Sequence, residues 1–399
     1  MALAACGPPV TDVGAGSTAA DQANGLVVDD PPATSGAFAP NLATVSGRLA
    51  ATWLEPVTMA GGGAGHRLCF ARLEDGGWSE PVSIAEGSDF FANWADFPEL
   101  VESGDGTLYA HWLAKTAEDT YAYSVFLARS TDGGASWEPL GKLNADDTPT
   151  EHGFVSFVEQ PEGARAFWLD GRGMIDGGPM TLRTALVGAG EPVESVVDAR
   201  VCECCGTDAV MTEEGPLVVY RDRSEEEVRD VFAVRGLGIG WTEPYAVHSD
   251  GWKIAGCPVN GPAVDSRGAS TATAWFTAAG DTSRVLVAFS GNSGKSFGPA
   301  RVVEASAEDT LVLGRVDLSM IADGSAWVSW VAQTGDQAEI RLRRVRPDGS
   351  MEEPREVALT SPGRASGFPI LERVAEDLFI AWVEVGEERS LSRIHVRAL

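Results

Sequence analysis

One pattern of apolar and polar positions recurs along the chain. A short apolar run, often led by Pro or Gly, is followed by an acidic-Gly turn and then an alternating run that ends near an indole. A third alternating run follows, then a turn, then a short segment that often reads aromatic-x-x-Pro. The period of two that marks a strand is cleanest in Leu108-Tyr109-Ala110-His111-Trp112 and in Arg341-Leu342-Arg343-Arg344-Val345. No stretch carries a sustained helical period. The anchoring aromatics of the second runs are Trp53, Trp112, Trp168, Tyr220, Trp275, Trp330 and Trp382, spaced 52 to 59 residues apart. First strands are expected to begin near Phe38, Phe97, Phe154, Thr207, Pro262, Val316 and Phe368. Fourth strands are marked by Trp78-Ser79-Glu80-Pro81, Trp137-Glu138-Pro139, Trp241-Thr242-Glu243-Pro244 and Phe297-Gly298-Pro299.

Four short strands repeated at this spacing predict an all-β chain, a seven-bladed β-propeller of four-stranded blades. A single blade cannot cover both its faces, and stacking blades in a ring covers them without long open edges. The last repeat stops after its third strand, so Gly25-Leu26-Val27-Val28 is expected to supply the missing outer strand and close the ring across the termini. That reading divides the chain at residue 24, with 1–23 a leader and 24–399 the propeller.

The leader contributes an address. Leu3-Ala4-Ala5-Cys6 resembles the lipobox of bacterial lipoproteins, which implies lipid attachment at Cys6 and a place outside the cytoplasm, in the periplasm or at the outer membrane. Gly7 to Asn24 is rich in Gly, Ala, Ser, Thr and Pro without apolar periodicity, as a tether would be. No later segment approaches the roughly 20 apolar residues of a membrane span, so the lipid is the only membrane partner expected. Charge narrows the partners further: 58 Asp and Glu against 30 Lys and Arg give a net charge of −28. A field of that sign repels nucleic acid and anionic headgroups.

Ser130-Thr131-Asp132-Gly133-Gly134-Ala135-Ser136-Trp137 is a complete Asp box, Ser290 to Phe297 a degenerate copy, and Asp75-Gly76-Gly77-Trp78 a fragment. In this turn Asp accepts backbone N–H bonds, the glycines permit positive φ, and Trp packs between strands. On these motifs and the repeats, most of the chain resembles the sialidase-like, Asp-box (BNR-repeat) propellers. The resemblance implies that the box joins third and fourth strands on the face away from the active site. The family's Phe/Tyr-Arg-Ile-Pro motif has no counterpart, the nearest stretch being Phe38-Ala39-Pro40. None of the five tyrosines carries a motif marking it as the family's nucleophile.

Propeller connectivity gathers the loops after second strands and the loops leading into first strands on one face. Cys202-Glu203-Cys204-Cys205 leads into blade four, Gly256-Cys257-Pro258 into blade five, Glu151-His152-Gly153 into blade three, and Asp96 into blade two. Four of the six cysteines are therefore expected side by side at the channel mouth. They could form disulfides, which an oxidising compartment favours, or a thiolate site for copper or zinc with His152 completing the set. Cys69, in an alternating strand, reads as core. Asp170, Arg172, Arg221 and Asp222 follow second strands and are the candidate catalytic residues, with Asp170, Asp222 or Glu151 available for general acid–base work. Arg223, Arg315, Arg364 and Trp252 would add a charged, aromatic rim for an anionic ligand. Three functions fit: a lipid-anchored propeller with a thiolate metal or redox site, a sialidase-like glycan-binding or glycan-hydrolysing enzyme, and a non-catalytic scaffold for an envelope protein with structural disulfides.

Overall fold

A computed structural model describes residues 28–188, 190, 192–388 and 392–399. Seven antiparallel sheets follow one another along the chain, over residues 38–87, 100–142, 152–198, 208–246, 263–305, 311–360 and 370–398. Each is a meander in which consecutive strands pair, except that in blade one both Gly77–Trp78 and Val82–Gly87 pair with Ala64–Glu74. The first strands of neighbouring sheets contact one another around a central channel. Among the described residues the helical elements are three short 3₁₀ turns. No helix is long and apolar enough to cross a membrane.

Each of the seven aromatic anchors lies in a second strand. Each also packs into the apolar cluster shared with the preceding blade. Trp168 of blade three meets Tyr109 and Val125 of blade two, and Trp275 of blade five meets Leu217 and Val219 of blade four. Seven such clusters fill the seven interfaces. The ring is closed where Trp53 and Leu42 of blade one pack on Phe379, Val383 and Ile394 of blade seven. An indole needs a partner for its N–H when buried, and acidic residues meet that need. Trp168 donates to Asp170 at 2.9 Å, Trp53 to Glu55 at 3.2 Å and Trp275 to Asp250 at 2.8 Å.

Burial of both blade faces also explains why alternation is weaker than expected. Leu108 to His111 are all buried, because each face of that strand meets a neighbouring blade. The third strand Gln337–Val345 keeps the expected in-and-out pattern. Near the channel mouth several first strands carry an irregular register beside a non-glycine residue at positive φ: Ala39, Phe154 and Arg315. These bulges re-aim the backbone that enters the channel.

Blade seven has three strands among the described residues. Leu26 and Val27, expected in its outer strand, lie outside the described residues, as does Cys6. From Val28 the chain runs along the blade edge without strand pairing. Asp30 accepts the Val396 N–H at 3.2 Å and meets His395 at 2.9 Å. Trp78 of blade one donates to the Asp29 carbonyl at 2.7 Å, so this segment ties blade seven to blade one.

The Asp box joins the third and fourth strands of blade two, on the face opposite the cysteine loops by connectivity. Asp132 Oδ1 accepts the Ser136 N–H at 2.9 Å and the Ser130 hydroxyl at 2.7 Å. Gly134 has φ of +93°, and a Cβ there would meet the Phe70 ring at 2.2 Å. In blade five Asn292 repeats the arrangement, accepting the Ser296 N–H at 3.1 Å. Since an amide oxygen suffices there, Asp132→Asn should leave the thermal midpoint nearly unchanged. Asp132→Ala should lower it, by differential scanning calorimetry. Equal midpoints for the two variants would show that the turn does not depend on this acceptor.

Candidate functional site

The loop after Asp198 is pinned to the second strand of blade four by the Val201–Asp222 bridge and a 3.0 Å bond from the Cys202 N–H to the Arg221 carbonyl. That anchorage turns three cysteines inward. Cys202 Sγ lies 4.0 Å from Cys204 Sγ and 3.7 Å from Cys205 Sγ, and the three sulfurs are all within 4.8 Å of one another. Cys257, from the loop leading into blade five, reaches the Cys204 thiol. The adjacency expected from topology is present. The disulfides offered as one alternative are not: the five described cysteines are all free. A disulfide requires about 2.05 Å between sulfurs. With metal–sulfur bonds of about 2.3 Å, tetrahedral ligands sit about 3.8 Å apart and trigonal ones about 4.0 Å apart. The 3.7 and 4.0 Å separations from Cys202 fall at that spacing.

The thiols are unequal. Hydrogen bonding with Cys204 and Cys205, and then the Arg229 guanidinium 3.1 Å away, hold Cys202 far below the ordinary thiol range and outweigh its burial. Cys257 is lowered to about 7, chiefly by its hydrogen bond with Cys204. Burial pushes Cys205 up to about 12, and the Asn260 N–H approaches its sulfur at 3.4 Å. Cys204, whose sulfur meets that of Cys202 at 4.0 Å, is raised by hydrogen bonding within the cluster. The thiol protons of such a cluster can leave when a cation arrives. Cys69 sits apart in the interface of blades one and seven, pushed up to about 12 by burial, as a core residue.

His152 does not join the sulfurs. Its Nδ1 faces the Tyr123 and Thr150 carbonyls at 3.1 Å each, and its Nε2 lies 3.2 Å from Asp146 and 3.8 Å from Asp170. Burial alone would lower its pKa, but Asp146 and Asp170 raise it. Asp146, His152 and Asp170 form a second set of metal-capable donors. Arg172 already lies 3.0 Å from Asp146, 2.7 Å from Asp170 and 2.8 Å from Glu194. The carboxylates of that set are therefore neutralised by a guanidinium.

Several expected site residues turn out to hold the fold. Asp170 is fully buried, caps the Trp168 indole and pairs with Arg172, the place Glu55 takes beside Trp53 in blade one. Arg221 is 1 % exposed and donates to the Arg229, Asn260 and Phe276 carbonyls while stacking on Trp252, itself buried. Arg315 is buried, donates to the Pro362 carbonyl at 3.0 Å and stacks on Trp94. Asp222 accepts a backbone N–H and is raised to about 6, by burial first. Arg223 pairs with Glu203 and Glu227 and, with Arg364, lines a cleft of about 660 Å³. Cys204, Cys257, Glu151, Trp94 and Tyr121 share its wall. The sequence reading missed Arg229, the cation beside Cys202; it stands in a plain strand-leading segment and carries no motif.

No family model matches this chain, and no curated protein is significantly similar to it. Solved structures are similar in fold. Polysaccharide lyase Uly1 aligns with a TM-score of 0.51 at 8 % identity, over 90 % of this chain and 89 % of that one. An α-L-arabinanase of Penicillium chrysogenum gives 0.48 at 12 % identity, over 94 % and 97 %. The NanB sialidase of Streptococcus pneumoniae gives 0.46 at 11 % identity, over 94 % and 70 %. At these identities the likeness concerns the fold alone.

Proposed function

We propose that this protein is an extracytoplasmic propeller, tethered by lipid at Cys6, that binds copper(I) or zinc(II) through Cys202, Cys204, Cys205 and Cys257. The observation that carries this reading is three unbridged sulfurs within 4.8 Å of one another, two of the separations at metal-ligand spacing, with Cys257 on the same cleft as Cys204. Thiolates are soft donors and select soft or borderline cations. Several thiolates around one cation leave net negative charge, which Arg229 is placed to offset. Burial of Cys202 and Cys205 limits oxidation of the empty site.

Metal analysis on protein purified without chelator, paired with thiol counting, tests the reading. About one copper or zinc per chain is expected, with the cluster thiols unreactive until the metal is stripped. Reloading should release protons into weak buffer, because Cys204 and Cys205 must lose theirs. Metal-free protein whose cluster is fully disulfide-bonded, or that takes up neither cation, would refute it.

A second reading rests on the cleft itself. Trp94 and the exposed ring of Tyr121 offer apolar faces, and Glu151, raised by burial, offers an acid beside them. Such a wall suits a glycan, and one protein of similar fold is a polysaccharide lyase. Release of reducing ends from acidic polysaccharides, lost in Glu151→Gln, would favour this reading over the first.

A further inference from the structure

We propose that the central channel holds a hydrated divalent cation of the calcium class, surrounded by Glu99, Asp208, Asp265, Asp317, Glu372 and Asn41. These residues come from the first strands of blades two, four, five, six, seven and one or lead into them, and all line one cavity of about 340 Å³. The site is separate from the thiol cluster, which lies in loops at the channel mouth.

Each carboxylate is fixed by the blade that follows it. Asp208 accepts the Val264 N–H at 2.7 Å, Asp265 that of Met320 at 2.7 Å, and Asp317 that of Leu371 at 2.6 Å. Glu99 accepts the Phe157 N–H at 3.1 Å, and Glu372 accepts the Thr44 hydroxyl at 2.6 Å, which joins blade seven to blade one. The clamps hold the acids against the wall in fixed positions. They do not neutralise them, because a backbone N–H is a dipole and carries no net charge.

Among the described residues the one basic side chain lining the cavity is Arg373, whose guanidinium donates to the Met320 and Ala375 carbonyls. Burial raises all five acids above the ordinary carboxylate range. Repulsion among them adds to this at Glu99, Asp208, Asp317 and Glu372, and Arg373 offsets part of it at Asp265 and Glu372. Such a set is relieved either by protons or by a cation. Asn41 favours the cation. It is 8 % exposed, lines the cavity, and among the described residues its side chain has no hydrogen-bond partner. An amide oxygen is a neutral ligand that calcium accepts readily alongside carboxylates.

Among the described residues, no three of these carboxylates approach within direct ligand reach of one another. The ion must therefore keep part of its water shell, and the cavity has room for about ten waters at roughly 30 Å³ each. Hard oxygen donors and retained water select calcium or magnesium over the soft cations of the thiol cluster.

The test is calcium titration of the intact protein by calorimetry, with thermal midpoints measured in parallel. One saturable site is expected, in the range of about 10⁻⁴–10⁻³ M found for extracellular modules. The midpoint should rise by about 3 °C at a calcium concentration 100 times the Kd. Asp265→Asn should weaken binding about tenfold or more. Asn41→Ala removes no clamp, so it should fold normally and still bind several-fold more weakly, which keeps the test decisive if Asp265→Asn unfolds. Cys202→Ser should bind calcium as the wild type does. Absence of saturable calcium or magnesium binding, affinity unchanged in both channel variants, or loss of calcium binding in Cys202→Ser would overturn the proposal.

Discussion

Cys202→Ser should reduce copper(I) or zinc(II) affinity by more than 100-fold while leaving the fold intact. The Cys202 pKa is lowered by hydrogen bonding with Cys204 and Cys205 and by Arg229 at 3.1 Å, and its sulfur lies 4.0 Å from that of Cys204 and 3.7 Å from that of Cys205. Structural zinc in small thiolate sites is bound by about 10–16 kcal/mol, so one of four ligands carries several kcal/mol. A serine hydroxyl, far weaker as an acid and harder as a donor, cannot replace it. Cys257→Ser should cost less, about tenfold, because three sulfurs of one loop remain and Cys257 is the exposed member of the set. Cys69→Ser should leave metal binding untouched. Competition titrations with a chromogenic chelator measure all three. Equal affinity in wild type and Cys202→Ser would place the metal elsewhere.

Arg221→Leu should destabilise the protein by about 3–5 kcal/mol, a large loss for one side chain. The guanidinium is buried between blades four and five and donates to the Asn260 carbonyl at 2.9 and 3.1 Å, the Arg229 carbonyl at 2.6 Å and the Phe276 carbonyl at 2.8 Å. Leucine would leave three carbonyls in that interface without a donor. Lysine should recover little, since a single ammonium cannot span three acceptors that the planar fork reaches together. Equilibrium denaturation by guanidinium chloride gives the value. A loss under about 1 kcal/mol, or full rescue by Arg221→Lys, would mean that water replaces the guanidinium. The same residue looked like an active-site arginine in the sequence, because it follows a second strand and sits in Arg221-Asp222-Arg223.

That confusion has a general cause. A propeller uses charged residues both at its mouth and inside its blade interfaces, and the sequence pattern is the same for both. Asp170 and Glu55 each stand two residues beyond a buried indole, and each turns inward to cap it. Nothing local distinguishes an acid aimed at Trp168 from one aimed at a substrate. His152 likewise neighbours Glu151 in the chain, yet Glu151 lines the cleft while His152 is buried against Asp146 and Asp170.

The sequence by itself determined the seven blades, the place of each anchoring aromatic and the nearness of Cys257 to the other three cysteines. These follow from periodicity and connectivity, since a strand's side chains alternate and neighbouring blades must set equivalent loops side by side. Only the tertiary structure decided that the cysteines stay unbridged at metal spacing, that Arg229 stands beside Cys202, and that carboxylates from five blades share one channel. Those outcomes depend on distances of a few ångströms between residues roughly 50 positions apart or more, and they are fixed by how the packed blades rotate their side chains, which a pattern read along one strand does not contain.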